Sequence, residues 1–185
     1  MFDDIRPFSD DEVAGVVHNL VRNRSFLDFI AKWLLPGLYG WVPSLARLGV
    51  SVYFRYHLGR VSSIREFQQG VSHVARKIVD ETTDGFTFEG IENLDPNENY
   101  IFISNHRDIA GDSMLLDYGL YLNDRDTVRI AVGDNLVQIG FATDLMKLNK
   151  SFFIKRSAEG AKKIYAALLQ SSQYIHHSLH TGHSI

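Results

Sequence analysis

The chain has 185 residues, 45% of them hydrophobic and 22% charged, a composition that can bury a core and excludes a disordered chain. It contains no cysteine, so disulfides, thiolate zinc sites and cysteine nucleophiles are excluded. The net charge of -3 argues against a nucleic-acid partner.

The first dozen residues are acidic, unlike the basic-then-apolar start of a secretory leader. Ser9-Asp10-Asp11-Glu12 spells a capping box, with Phe8 and Val13 placed as a hydrophobic staple. Val13, Val16, Val17, Leu20 and Val21 recur at helical spacing and predict a helix running to about Arg24. From Phe29 to Arg65 there is no acid, whereas Lys32, Arg47, Arg55, Arg60 and Arg65 are basic and both tryptophans, Trp33 and Trp41, lie among tyrosines. The longest uncharged run there, Trp33 to Ala46, is broken by Pro36 and Pro43 and falls short of the roughly 20 residues that span a bilayer. Such a segment suits the headgroup region of a membrane.

A second capping box, Ser63-Ile64-Arg65-Glu66, opens a helix whose apolar stripe is Ile64, Phe67, Val71, Val74 and Ile78. Beyond Gly85 the period becomes alternating. Strands are predicted over Phe86–Phe88, Tyr100–Ile103, Val128–Val132 and Phe152–Ile154. Helices are predicted over Ser113–Leu122, Asn135–Leu148 and about Ala158–Leu179. The expected fold is therefore α/β, a mixed sheet flanked by helices and preceded by amino-terminal membrane-interface helices. The expected division is a helical region at 1–82, with its membrane-associating segment at 29–65, followed by an α/β domain at 83–185.

The segment richest in chemistry is Ser104-Asn105-His106-Arg107-Asp108-Ile109-Ala110-Gly111-Asp112, where a strand runs into a polar turn and then a helix. The carboxyl ends of strands are where α/β sheets bind ligands. A carboxylate accepting from one imidazole nitrogen leaves the other free as a base. His106-Arg107-Asp108 imitates a kinase catalytic loop, but Ser113 stands where that loop needs Asn and no glycine-rich phosphate loop is present, so a kinase is excluded. A second cluster, Lys147 to Arg156, holds four cations and no acid. Arg156 would leave its strand at the carboxyl end, where a guanidinium suits a phosphate. His176, His177, His180 and His183 lack a nearby acid to complete a metal site, and no metal is expected.

Asn105-His106 with an acid downstream, then Phe153-Ile154-Lys155-Arg156 some fifty residues on, resembles the glycerolipid acyltransferases of the glycerol-3-phosphate and 1-acylglycerol-3-phosphate types. Their blocks are His, four residues, Asp, and Gly-x-x-Phe-Ile-x-Arg. The resemblance covers about Thr87 to Ser157. It implies an enzyme in which His106 is the general base, drawing a proton from a glycerol hydroxyl that attacks an acyl thioester of coenzyme A or acyl carrier protein. It implies that an acid orients His106 and that Arg156, with Lys155, binds the acceptor phosphate. Asn105, Arg107 and Lys150 are further candidates for substrate contact. No cofactor beyond the thioester co-substrate is implied. The implied setting is a peripheral or monotopic position on the cytoplasmic face of a membrane, in phospholipid biosynthesis.

The chain departs from the pattern in three places. Gly111 stands where the family has its Asp, so Asp112, one residue late, is the favoured partner of His106 and Asp108 the alternative. Lys150 replaces the glycine of the second block, and a third block, a strand followed by Glu-Gly and a basic residue, is missing. An apolar strand is starting at Gly182–Ile185, so the expectation is a truncated acyltransferase domain, the amino-terminal part of a longer protein, that could be inactive as it stands. Two rival functions remain open. One is a thioester or lipid hydrolase in which His106 activates water, and the other is a non-enzymatic peripheral membrane protein that binds headgroups.

Overall fold

The computed structural model describes residues 2–105, 107–108, 110–137 and 140–185. Among these, the elements in chain order are α1 (Asp10–Leu20), α2 (Arg24–Leu34), α3 (Pro36–Trp41), α4 (Pro43–Leu58), α5 (Ile64–Thr82), α6 (Gly111–Leu122), β1 (Ile130–Gly133), α7 (Gly140–Leu148), β2 (Ser151–Ile154) and α8 (Ala161–His180). Short 3-10 turns occupy Ile91–Asn93 and Asp134–Leu136.

The first helix begins at its predicted box. The Glu12 carboxylate accepts the Ser9 N–H at 2.9 Å and the Ser9 hydroxyl at 2.8 Å, and Arg6 donates to it at 2.6 Å. It ends before Arg24 because Asn23 starts a new helix, its side chain accepting the Phe26 N–H at 3.1 Å. Val13, Val17 and Leu20 of α1 share a core with Phe26 of α2, Val50 of α4 and Phe67 of α5. Phe141 and Leu148 of α7 complete that core, so the amino-terminal helices pack directly on the region that holds the sheet.

In α5 the cap is Ser63, as the box predicts, and only the return bond of the box is displaced by one residue. Ser63 accepts the Glu66 N–H at 3.2 Å, but the Glu66 carboxylate returns to the Ser62 N–H at 2.7 Å. The buried stripe is Ile64, Phe67, Gln68, Ala75 and Val79, while Val74 is exposed. The face turns because Tyr118 of α6 packs over the small Ala75 and over Val79.

The expected mixed sheet is corrected to two parallel strands among the described residues, in register from Ile130 opposite Ser151 to Gly133 opposite Ile154. Phe86 and Phe88 form no strand, because their alternation serves packing on α6. The Phe86 ring lies 5.6 Å from that of Tyr118, and Phe88 fills the space over Gly119. Tyr100–Ile103 is not a strand either. Ile185 donates to the Tyr100 carbonyl at 2.9 Å and accepts from Phe102 at 2.6 Å, a single parallel bridge too short to make one. Along the edge of β2, the Ile5 carbonyl accepts the Phe153 N–H at 2.9 Å. The helix predicted from Asn135 is replaced by the turn at Asp134–Leu136 and by α7. Over the strands, α8 sets Tyr174 against Phe152 with ring centroids 4.9 Å apart.

The acid-free region folds as α2, α3 and α4, tied together by the carboxylate that precedes it. Asp28 accepts from the Tyr39 hydroxyl at 2.9 Å and from Arg47 at 2.8 Å, and Arg47 holds its carboxyl below the usual range. Each of the longer helices is apolar on two faces. Phe26 and Ala31 of α2 and Ala46 and Val50 of α4 point inward, whereas Phe29, Trp33, Leu48, Val52 and Tyr56 are exposed. Trp41 is 91% exposed. No helix among the described residues is long and apolar enough to cross a membrane.

Candidate functional site

The turn between the extended segment and α6 is built by two carboxylates that act in opposite directions. Asp112 reaches back and accepts the N–H groups of Arg107 at 2.8 Å and Asp108 at 3.1 Å, closing the backbone directly after position 106. Asp108 reaches forward and accepts the Ala110 N–H at 3.0 Å and the Gly111 N–H, starting α6 in the manner of an Asx turn. The forward carboxylate occupies the space beside Gly111, where a Cβ would lie 3.0 Å from its Oδ1. A glycine at this position therefore goes with an aspartate at 108. His106, the predicted base, lies outside the described residues. Asn105 and Arg107 on either side of it are exposed, and Ile103 nearby is 91% exposed.

The second built turn leaves the carboxyl end of β2. Asp134, directly after β1, accepts the Arg156 N–H at 2.9 Å, the Ser157 N–H at 3.2 Å and the Ser157 hydroxyl at 2.5 Å. The serine bond comes first among the causes that hold this carboxyl below the usual range. Gly133 makes room for the guanidinium arm, since a Cβ there would lie 3.0 Å from the Arg156 Cδ. Parallel pairing brings the ends of β1 and β2 to one rim, so Asp134 and Arg156 meet because the strands run the same way. Asp134 was missed from sequence, although its place just past a strand's carboxyl end was a usable signal.

The four cations of the Lys147–Arg156 segment diverge. The Lys147 ammonium lies 5.6 Å from the Phe8 ring and 5.9 Å from that of Phe153. Lys150 precedes β2 and donates to the Thr127 carbonyl at 3.2 Å, at the opposite end of the strand from Arg156. Lys155 is bound to Asp4. Lys155 and Arg156 both follow the carboxyl end of β2, but it is the Arg156 N–H that Asp134 clasps. His176 and His180 stack with centroids 4.0 Å apart, and no group of histidines and acids among the described residues could hold a metal ion.

A family model described as Acyltransferase matches residues 85–178, half of the chain, and spans both built turns. No curated protein and no solved structure matches the chain. With the matched region covering both the turn after position 106 and the clasped end of β2, the chain belongs to the acyltransferase family and carries the domain of an acyl-transferring enzyme.

Proposed function

We propose that this chain moves a fatty acyl group from an acyl thioester, carried by coenzyme A or acyl carrier protein, to a hydroxyl of a glycerol-phosphate acceptor. The acceptor favoured is 1-acylglycerol-3-phosphate, in phospholipid biosynthesis. The observation that carries this reading is the pair of carboxylate-closed turns inside the family domain, one directly after His106 and one at Arg156.

In this scheme His106 takes the acceptor's hydroxyl proton as the oxygen attacks the thioester carbonyl. The carbon–sulfur bond then breaks, the sulfur leaves and takes up that proton as a thiol, and the oxygen is left as an ester. Asp112 braces the imidazole and its cationic form, with Asp108 as the alternative brace. Arg156 offers paired donors to the acceptor phosphate, and Lys155 can join it only by releasing Asp4. The outward apolar faces of α2 and α4, with Trp41 between them, rest on the cytoplasmic face of a membrane, where acyl-chain substrates reside.

The test is transfer of label from an acyl thioester with and without glycerol-phosphate acceptor, using wild type and His106→Ala. Acceptor-dependent ester formation that disappears in the variant is expected. Acceptor-independent thiol release would favour a hydrolase, and membrane binding without turnover would favour a headgroup-binding protein.

A further inference from the structure

Arg129 and Lys150 stand immediately before β1 and β2, so they leave the sheet at its amino-terminal end, a strand's length of about 13 Å from Gly133 and Ile154, with Arg156 beyond. Between them and residues 2–10 lies a cavity of about 630 Å³, within the range that takes a small organic molecule. Phe2, Pro7 and Phe8 form one wall, held by the Ile5–Phe153 backbone bond. Tyr174 and His177 of α8, with His183, form another.

The polar groups of this cavity are short of negative charge. No carboxylate among the described residues pairs with Arg129, which donates to the Ser178 hydroxyl at 2.8 Å and lies 5.6 Å from the centre of the Tyr174 ring. The Lys150 ammonium meets a carbonyl, with Asp117 and Asp126 in its wider surroundings. The acids of the lining are already engaged, Asp3 with Arg6 and Asp10 with the Ile64 N–H at 2.8 Å. Arg6 is further held by Glu12. Burial pushes Arg129, Lys150 and His183 below their ordinary values, and the two longer cations push His183 further down. Tyr174 is 2% exposed, and its hydroxyl makes no hydrogen bond of ordinary geometry among the described residues. A half-buried guanidinium that no carboxylate among the described residues pairs with is costly unless something anionic joins it.

We propose that this cavity is a second ligand site, separate from the rim that carries Arg156, for an organic anion. Its phosphate or carboxylate head pairs with Arg129 and Lys150, and its apolar body lies against Phe2, Phe8 and Tyr174. The site does not depend on the transfer reaction, because its cations occupy the opposite end of the strands.

The test titrates the full chain with phenyl phosphate, inorganic phosphate and phenol while histidine ring protons are followed by NMR. Phenyl phosphate is expected to move the His177 and His183 signals saturably while leaving those of His18 and His73 in place, whether or not it also occupies the rim at Arg156. Inorganic phosphate and phenol, each lacking half of the ligand, are expected to bind more weakly. Arg129→Gln is expected to weaken phenyl phosphate about tenfold, the loss of one charge-assisted pair, with Arg156→Ala leaving it unchanged. The wild-type shifts decide the matter if the Arg129 variant does not fold. The site is overturned if His177 and His183 do not respond, if phenol binds as tightly as phenyl phosphate, or if binding follows Arg156 and ignores Arg129.

Discussion

Asp134 holds Arg156 through the main chain, accepting its N–H at 2.9 Å while also taking the N–H and hydroxyl of Ser157. The guanidinium thus leaves a fixed turn rather than a loose strand end. Asp134→Ala frees that turn without removing the cation. If Arg156 binds the acceptor phosphate, the variant should raise KM for a phosphate-bearing acceptor roughly tenfold with a smaller change in kcat, since a positioned donor pair is lost. Asp134→Asn should recover part of the loss, because the amide oxygen can still accept. Initial rates at varied acceptor concentration measure both, and a fall confined to kcat would remove Asp134 from acceptor binding.

Asp117 of α6 is the least comfortable acid in the described structure. It is 8% exposed, one oxygen accepts the Val128 N–H at 2.9 Å and the other has no hydrogen-bond partner among the described residues. Burial pushes its carboxyl up to about 7. The folded chain then keeps a proton that the unfolded chain gives up near pH 4, so this group's contribution to stability is full below pH 4 and is lost as pH rises towards 7. At about 1.4 kcal/mol per pKa unit the loss is on the order of 4 kcal/mol. Asp117→Asn should flatten that slope in denaturant midpoints measured from pH 4.5 to 7.5. An identical slope in both proteins would show that Asp117 does not titrate in this window.

Gly119 is required by the ring above it. A Cβ there would lie 2.2 Å from Cδ2 of Phe88, and the adjoining ring atoms are within 2.6 Å. Gly119→Ala should destabilise the chain by about 1–3 kcal/mol through overpacking. The pair Gly119→Ala with Phe88→Leu should cost less than the two single changes added together, and thermal melts of the four proteins form the cycle.

The outward face of α2–α4 can be read through the chain's own fluorescence, since Trp33 and Trp41 are its two tryptophans and both are exposed. Vesicles containing anionic lipid should shift their emission to the blue, and Trp41→Ala should weaken co-sedimentation with those vesicles. Raising the salt should weaken binding to the extent that the basic residues act through anionic headgroups. Emission unchanged by vesicles would remove this face as a lipid contact.

Much of the helical framework could be read from the chain alone. The Ser9–Glu12 box and the three-to-four spacing of valines are local signals, and a helix satisfies its backbone within its own segment. The same locality let the two blocks around Asn105 and Arg156 be found, because each is a short run of residues with recognisable chemistry. The segment 86–88 alternates where β2 is a continuous apolar run, yet it is β2 that has a parallel neighbour, and 86–88 turns its rings onto Tyr118 and Gly119 instead. A strand depends on a partner that may stand anywhere in the sequence.

The direction of each charged side chain was likewise decided by distant partners. Lys155 is claimed by Asp4, Lys150 by the Thr127 carbonyl, and the end of β2 by Asp134, none of which is near in sequence. The sequence favoured Asp112 over Asp108 beside His106, and the fold gives Asp112 the backbone N–H groups of Arg107 and Asp108 and gives Asp108 those at the start of the helix ahead. Sequence alone determined the starts of α1 and α5, the family blocks and the residue types of the site, because these rest on periodicity and on contacts a few residues apart. Tertiary structure decided which strands pair, which rim each cation serves and which carboxylate closes which turn, because those depend on electrostatic and hydrogen-bond partners brought together only by the packed chain.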